Sequence, residues 1–263
     1  MPETLRRYLD FTVETAYLAG KLTLGYFQAG VRPDFKGDNS PVTIADRRAE
    51  ELIRSRIEKK FPGHAIVGEE YGIKEREGAS HRWIIDPIDG TKSFLHGVPL
   101  YAVLIGLEID GTVEVGAAYF PALDEMLAAA AGQGCWWNGR PARVSETSRL
   151  QDALIVFTDP DTFAKRGKQA PWERLKKAAN CARGWSDAYG YLLVATGRAE
   201  IALDPAMEVW DNAPYPPIFR EAGGYFGDWQ GNPTIYRGEA LAAAPALLPE
   251  ALALLSESSG AEE

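Results

Sequence analysis

The stretch Trp83-Ile84-Ile85-Asp86-Pro87-Ile88-Asp89-Gly90-Thr91 decides the fold that we predict. Its first three residues are apolar, as is typical of a buried strand. The strand leads into Asp86 and Asp89, with Pro and Gly shaping the turn, so we expect both carboxylates at one strand end. Close carboxylates repel each other, and a hard divalent cation with oxygen ligands removes that cost. An isolated pair of this kind is more often a capped loop, with Asp89 as a helix N-cap and Asp86 in solvent.

Three more acidic residues occupy positions from which they could join this pair. Glu69 follows the apolar strand Ala65-Ile66-Val67. Asp211 precedes a predicted helix, and Asp46 lies three residues after Thr43. Each has a simpler explanation: a solvated loop charge for Glu69, an N-cap for Asp211, and a cap with its first-turn acid for Thr43 and Asp46. A helix cap can also bind a metal, so these explanations do not exclude a shared site.

The periodicity of apolar residues predicts a layered α+β fold. Helical spacing over residues 5–27 and from about residue 45 predicts two N-terminal helices. Short apolar runs follow, and Asp110-Gly111 between two of them is a strong hairpin signal. The second half alternates strands and helices, which favours stacked layers over strict βαβ repetition.

We expect two halves within one compact catalytic unit. Residues 1–145 form an N-terminal α+β half with most of the acidic residues described above. Residues 146–263 form a C-terminal α/β half that contains Asp211. The sequence has no internal repeat and no linker rich in Pro, Gly or Ser, which favours a single unit.

Composition and charge argue against several classes of protein. The 263 residues include 28 Lys and Arg against 37 Asp and Glu, and a net charge of −9 argues against a general nucleic-acid binder. Cys135 and Cys181 are too few for a disulfide framework and lack the spacing of metal ligands. No basic-then-apolar leader and no apolar run of about 18 residues is present. We therefore expect a cytoplasmic protein with no nucleic-acid or membrane partner.

The acidic stretches together resemble the inositol monophosphatase superfamily of Mg²⁺-dependent, lithium-sensitive phosphatases. The likeness covers roughly residues 5–250, and several spaced motifs are more specific than one. The resemblance implies a layered α-β-α-β-α sandwich, a homodimer, and a phosphomonoesterase that binds two or three Mg²⁺ ions and acts on a small phosphorylated metabolite. The matching stretches are Lys36-Gly37-Asp38-Asn39-Ser40-Pro41-Val42-Thr43-Ile44-Ala45-Asp46, Gly68-Glu69-Glu70, Asp86-Pro87-Ile88-Asp89-Gly90-Thr91, Trp210-Asp211 and Glu221-Ala222-Gly223-Gly224.

The resemblance implies metal ligands residue by residue. Glu69, Asp86 and the backbone carbonyl of Ile88 match the ligands of a first Mg²⁺. Asp86, Asp89 and Asp211 match those of a second, and Glu69 also matches the position that holds a third, weaker ion. Four carboxylates without His or Cys suit Mg²⁺ better than Zn²⁺. The three histidines are therefore expected at surface or structural positions: His64, His81 and His96.

The resemblance also implies catalytic and phosphate-binding residues. Asp46 and Thr91 match the pair that takes the proton of the attacking water. Gly90 and Thr91 match the phosphate cradle, and backbone N–H groups at a helix start can receive a phosphate oxygen.

The second half of the chain looks like the histidinol-phosphatase branch. The resemblance places Arg183, Ser186, Asp187 and Asp204 in the substrate site. Histidinol carries an amine and an imidazole, so carboxylates at 187 and 204 would favour it over a neutral polyol. Local roles stay open: Asp187 as a helix N-cap, Asp204 as a turn acid before Pro205, and Arg183 as a partner of phosphate or of Asp187. The stretches that resemble the histidinol-phosphatase branch are residues 90–94, 183–197, 203–205 and 228–231.

These motifs favour hydrolysis of L-histidinol phosphate, with inositol 1-phosphate or a broad range of sugar and nucleotide phosphates as alternatives. A catalytically idle regulator with the same fold is a different class, but no ligand or catalytic position is missing. An RNA-associated chaperone is disfavoured by the net charge of −9. One departure concerns Pro214, Pro216 and Pro217, which follow Asp211 and predict a distorted helix start there.

Overall fold

Two sheets form the framework of the protein, and its computed structural model describes residues 2–35, 37, 41–185 and 187–256. The strands are β1 (Asp34–Phe35), β2 (Pro41–Val42), β3 (Ala65–Gly68), β4 (Gly72–Lys74), β5 (His81–Asp89), β6 (Ala102–Ile109), β7 (Thr112–Phe120), β8 (Glu125–Ala130), β9 (Cys135–Trp137), β10 (Arg140–Pro141), β11 (Leu154–Val156), β12 (Cys181–Arg183), β13 (Ile201–Asp204), β14 (Tyr225–Gly227) and β15 (Ala240–Ala243).

The helices connect and cover these sheets, and a 3₁₀ turn at Leu150–Asp152 precedes β11. None of the helices in the described ranges is long and apolar enough to span a membrane. The helices are α1 (Pro2–Leu24), α2 (Ile44–Lys60), α3 (Thr91–Leu95), α4 (Pro160–Lys165), α5 (Gln169–Ala178), α6 (Asp187–Ala195), α7 (Val209–Asn212), α8 (Tyr215–Ala222) and α9 (Leu248–Ser256).

The larger sheet has eight strands in the order β10-β9-β8-β7-β6-β5-β3-β4, and only its β3–β5 pair is parallel. The smaller sheet has five strands in the order β12-β11-β13-β15-β14, with β11 parallel to both of its neighbours. β1 and β2 form a separate antiparallel ribbon. Mixed pairing in two sheets agrees with the predicted α+β class.

Three apolar clusters stack these elements into five layers. The first lies between α1 and α2 and one face of the large sheet. The second lies between the other face, the helices α6 and α8, and the small sheet. The third lies between the far face of the small sheet and α4, α5 and α9. The predicted α-β-α-β-α sandwich is therefore confirmed, and β5 is apolar throughout its centre because both of its faces are covered.

Several local predictions are confirmed with shifted boundaries. The Asp110-Gly111 hairpin joins β6 to β7, and both turn residues have the positive φ that a tight hairpin requires (50° and 81°). The first helix ends at Leu24, although its apolar spacing continues to Phe27. His64 and His81 lie in an aromatic cluster with Phe61 and Trp83, which agrees with a structural role.

Candidate active site

Asp86 and Asp89 both belong to β5, and Asp89 is its last residue, so the two acids lie at the end of this strand as expected, although the strand continues through Asp86. Side chains alternate along a regular strand, so residues three apart would face opposite sides. The pairing of β5 with β6 shifts register between Asp86 and Asp89, and this irregularity brings the two carboxylates together. Asp86 is buried, and its Oδ1 accepts the backbone N–H of Ile88 at 3.0 Å. The irregular pairing around Pro87 therefore places both carboxylates on one side.

Asp211 reaches the same place from α7. It is the third residue of this short helix, and its Oδ2 accepts the backbone N–H of Glu208 at 2.8 Å. The alternative role of Asp211 as an N-cap is therefore excluded, because Glu208 holds that position. The helix breaks after Asn212, and α8 begins with Pro216 and Pro217 in its first turn, where their missing N–H groups cost no helical hydrogen bond. The distortion expected from the prolines is thus this break.

Two glycines of the large sheet support the connection between α7 and α8. Gly106 of β6 and Gly116 of β7 are cross-strand partners. A Cβ at Gly106 would lie 2.7 Å from the carbonyl oxygen of Ala213. A Cβ at Gly116 would lie 2.7 Å from the carbonyl carbon of Pro214 and 2.8 Å from its Cα. The missing side chains therefore let the backbone after Asp211 rest directly on the sheet.

Asp86, Asp89 and Asp211 form one carboxylate cluster. Each offers an oxygen, and these oxygens lie within 4.8 Å of one another. Burial, reinforced by the neighbouring carboxylates, raises the pKa of Asp86 and of Asp89 well above its ordinary value. Burial also raises the pKa of Asp211, to about 7. In the part of the chain that the structure describes, no Lys or Arg forms an ion pair with these three residues. The cluster thus concentrates negative charge that a divalent cation would neutralise.

Glu69 lies beside this cluster, at the turn between β3 and β4. Its charge contributes to the raised pKa of Asp86, Asp89 and Asp211. Glu69 also lines a cleft of about 430 Å³ with Gly90, Thr91, Lys92, Ser93 and Asp187 among its walls. The structure therefore brings three of the four predicted carboxylate ligands within 4.8 Å of one another, and Glu69 lies near enough for its charge to act on all three.

Thr91 and Asp46 are not joined by a hydrogen bond. The Thr91 hydroxyl donates to the carbonyl of Ile88 at 3.2 Å. Asp46 belongs to a capping box with Thr43, whose N–H and hydroxyl donate to Asp46 Oδ2 at 2.8 and 2.5 Å. The other oxygen of Asp46, Oδ1, is buried without a hydrogen-bond partner, and burial raises the pKa of this residue to about 6. The two residues stay separate candidates for proton transfer.

Gly90 has a left-handed backbone (φ 81°) and is the N-cap residue of α3. A Cβ at this position would lie 2.9 Å from Asp187 Oδ2, so the glycine also allows Asp187 to approach. Asp187 is the first residue of α6, and its own φ is positive (41°). The N–H of Ala188 donates to Asp89 Oδ2 at 2.6 Å. Asp89 therefore accepts an N–H from the first turn of α6 and ties this helix to the cluster.

Asp204 lies at the end of β13 and is buried, unlike the turn acid that was the alternative. Its carboxylate accepts the N–H of Thr158 at 2.9 Å and the hydroxyl of Tyr191 at 3.0 Å. Burial raises its pKa to about 7. Arg183 is exposed and donates to the carbonyl of Ala182 at 2.8 Å. Ser186 lies outside the described residues, as do Lys36 and residues 38–40 of the first motif.

A cavity of about 160 Å³ joins these groups to the cluster. Thr158 and Asp159 line this cavity but were not predicted as site residues from the sequence. They follow the apolar strand β11, just as Glu69 follows β3. That strand-end position was the signal that could have found them. The acidic and hydroxyl residues of the wall are Asp89, Thr158, Asp159, Thr162, Asp187, Asp204, Asp211 and Tyr215.

Comparisons with known proteins agree with this geometry. The model of the inositol monophosphatase family matches residues 4–260. A histidinol-phosphatase from Chlorobaculum parvum is 46% identical over 90% of this chain and 91% of its own. An inositol-1-monophosphatase from Mesorhizobium japonicum is 34% identical over 85% and 86%. The structure of the extragenic suppressor protein suhB from Bartonella henselae superposes with a TM-score of 0.88 at 29% identity, covering 96% of this chain and 99% of that one. The chain therefore belongs to the inositol monophosphatase family and is a phosphoric monoester hydrolase.

Proposed function

We propose that the protein is a Mg²⁺-dependent phosphomonoesterase that hydrolyses L-histidinol phosphate to L-histidinol and phosphate. The observation that carries this proposal is the cavity next to the carboxylate cluster. Besides Asp89 and Asp211, three further carboxylates line it, from Asp159, Asp187 and Asp204, and its described wall contains no Lys or Arg. An acidic wall favours a leaving group that carries a cationic amine or imidazole over a neutral polyol. The 46% identical histidinol-phosphatase supports the same substrate.

The donor atoms of the cluster suit Mg²⁺. All of them are oxygens, and neither His nor Cys belongs to the group of three acids. The ion-holding residues in this proposal are Glu69, Asp86, Asp89, Asp211 and the carbonyl of Ile88. Bound in a pair, such ions lower the pKa of water and neutralise charge on the attacking and leaving oxygens.

The protein's own groups orient the phosphate and receive a proton. The N–H groups at the start of α3, from the N-cap Gly90 and from Thr91, have no carbonyl acceptor within the helix. They can therefore donate to phosphate oxygens. Asp46 Oδ1 is buried and unpartnered, which is typical of an oxygen that holds a water or an ion. Thr43 fixes the other oxygen of this carboxylate. Asp46 and Thr91 are therefore the candidate acceptors for the proton of the attacking water.

The experiment is a comparison of two esters under identical conditions. Phosphate release from L-histidinol phosphate and from inositol 1-phosphate is measured with Mg²⁺ and after chelation by EDTA. We expect kcat/KM to be at least about tenfold higher for histidinol phosphate, which is about 1.4 kcal/mol of discrimination. Equal or reversed preference would overturn the substrate, in favour of an inositol or broad-specificity phosphatase. Full activity in EDTA would overturn the metal dependence.

A further inference from the structure

A buried carboxylate outside the cluster holds the turn that contains Glu69. Glu50 lies on α2 with its side chain fully buried, and Arg54, one helical turn later, donates Nε–H to its Oε1 at 2.7 Å. The same carboxylate accepts two backbone N–H groups, from Glu70 at 2.8 Å and from Tyr71 at 3.1 Å. Three donors thus converge on one anion, and two of them belong to the residues immediately after Glu69.

The turn is short and is held at both ends. Residues 69–71 are the whole loop between β3 and β4, since Gly68 pairs with Gly72. The N–H of Glu69 donates to the carbonyl of Ile85 on β5 at 3.2 Å. At the far end, Arg54 Nη2 donates to the carbonyl of Gly72. The helix α2 and the strand β5 together therefore fix the backbone on both sides of Glu69.

Gly68 keeps the ion pair close to the turn. A Cβ at this position would lie 2.5 Å from the carboxyl carbon of Glu50 and 2.9 Å from Arg54 Nη2. No side chain larger than hydrogen fits there unless the pair moves away. The last strand residue before Glu69 is thus shaped to admit the Glu50 carboxylate.

We propose that Glu50, oriented by Arg54, is a positioning residue for Glu69 and sets the affinity of the site for divalent cations. The inference rests on the proposed metal-dependent function. A buried ion pair is by itself a weak source of stability, because desolvation offsets its attraction. In this protein the Glu50 carboxylate acts on geometry: the charge-assisted hydrogen bonds that it accepts from Glu70 and Tyr71 define the path of the three-residue loop. Groups that orient a metal ligand from outside typically change affinity by about 10–100-fold when they are removed.

The test measures metal affinity directly, with Mn²⁺ as the probe. Metal-free full-length protein is titrated with Mn²⁺, and free Mn²⁺ is followed by electron paramagnetic resonance. Glu50→Gln keeps the shape but places an NH₂ group opposite N–H donors, and we expect the Mn²⁺ Kd to rise by about tenfold or more. The charge-matched control is Glu51→Gln, one residue along the same helix, where the exposed side chain accepts the Tyr71 hydroxyl at 2.7 Å. We expect its Kd to stay within twofold of wild type.

The outcomes separate this inference from the proposed function. Wild-type protein that binds no Mn²⁺ would overturn both. Wild-type binding with an unchanged Kd in folded Glu50→Gln, or with equal weakening in Glu51→Gln, would overturn the positioning role alone. A second readout is the split between affinity and rate: at saturating Mg²⁺ we expect the kcat of Glu50→Gln to recover to within threefold. If Glu50→Gln does not fold, the same titration is made with Arg54→Lys. We expect its Mn²⁺ Kd to rise by at least threefold, and an unchanged Kd would overturn the positioning role.

Discussion

Substitution of Gly116 by Ala should displace Asp211 although the two residues do not share an element. The new Cβ would lie 2.7 Å from the carbonyl carbon of Pro214, whereas carbon atoms normally pack about 3.5–4.0 Å apart. The connection between α7 and α8 must therefore move by about 1 Å, since it is backbone that cannot rotate away. Overpacking of this kind costs about 3 kcal/mol, and lowers the Tm of a chain of this size by about 6–12 °C.

The effect on activity should be about as large in free energy as the effect on stability. A displacement of about 1 Å at a reacting site can cost about 100-fold in rate. Thermal unfolding and kcat/KM for the preferred ester would be measured on three variants. Gly106→Ala, where the Cβ would meet the Ala213 oxygen at 2.7 Å, should be impaired in the same way. Gly63→Ala, where a Cβ meets open space, should behave as wild type. If the Tm of Gly116→Ala falls but its kcat/KM stays within threefold of wild type, the two glycines serve packing alone and do not position Asp211.

Three further predictions concern single side chains. Asp89→Asn should reduce turnover more than about tenfold, or 1.4 kcal/mol of barrier, with an unchanged circular dichroism spectrum; retention of more than a tenth of the wild-type rate contradicts its role as a metal ligand. Asp187→Asn, which tolerates the positive φ, should lower the preference for histidinol phosphate over inositol 1-phosphate, and an unchanged ratio refutes the acidic-wall argument. His64 has its pKa lowered from 6.5 to about 4 by burial and by His81, and its Nδ1 accepts the Trp83 indole N–H at 3.0 Å. A lowered His pKa favours the neutral form in the folded state, so its stabilisation is present above pH 6.5 and lost as the pH falls towards 4. Between pH 7.5 and 5, the free energy of unfolding of wild type in urea should fall by about 1 kcal/mol more than that of His64→Gln, a figure reduced because the ring is partly exposed to solvent, and equal losses contradict this.

The parts of the fold that could be predicted from the sequence are those with a local cause. The Asp110-Gly111 turn needs only two residues that tolerate positive φ between apolar runs. The capping box of Thr43 and Asp46 lies within one turn of helix. Glu69 and Asp86 are visible because in each case an apolar run stops at a charged residue. Such signals located the acidic residues, and the family resemblance then assembled them into a site.

The contacts that define the site between elements have no such local signal. Asp89 accepts the N–H of Ala188, 99 residues away in the chain. Glu50 looks like any charged helix residue until the turn at Glu70 folds against it. Spacing could not reveal these pairings, because they depend on how the layers stack rather than on any repeat within a helix or strand.

The effect of the prolines after Asp211 could be predicted only in part from the sequence. Pro216 and Pro217 do prevent one continuous helix, as their missing N–H groups require. The break they cause is what turns the chain between α7 and α8. Because Gly106 and Gly116 present bare backbone at that point, the broken segment lies flat on the sheet and holds Asp211 against Asp86. A continuous helix could not fit into the space above these two glycines, which the backbone of residues 213 and 214 occupies. The interruption between α7 and α8 is therefore part of how Asp211 reaches Asp86 and Asp89.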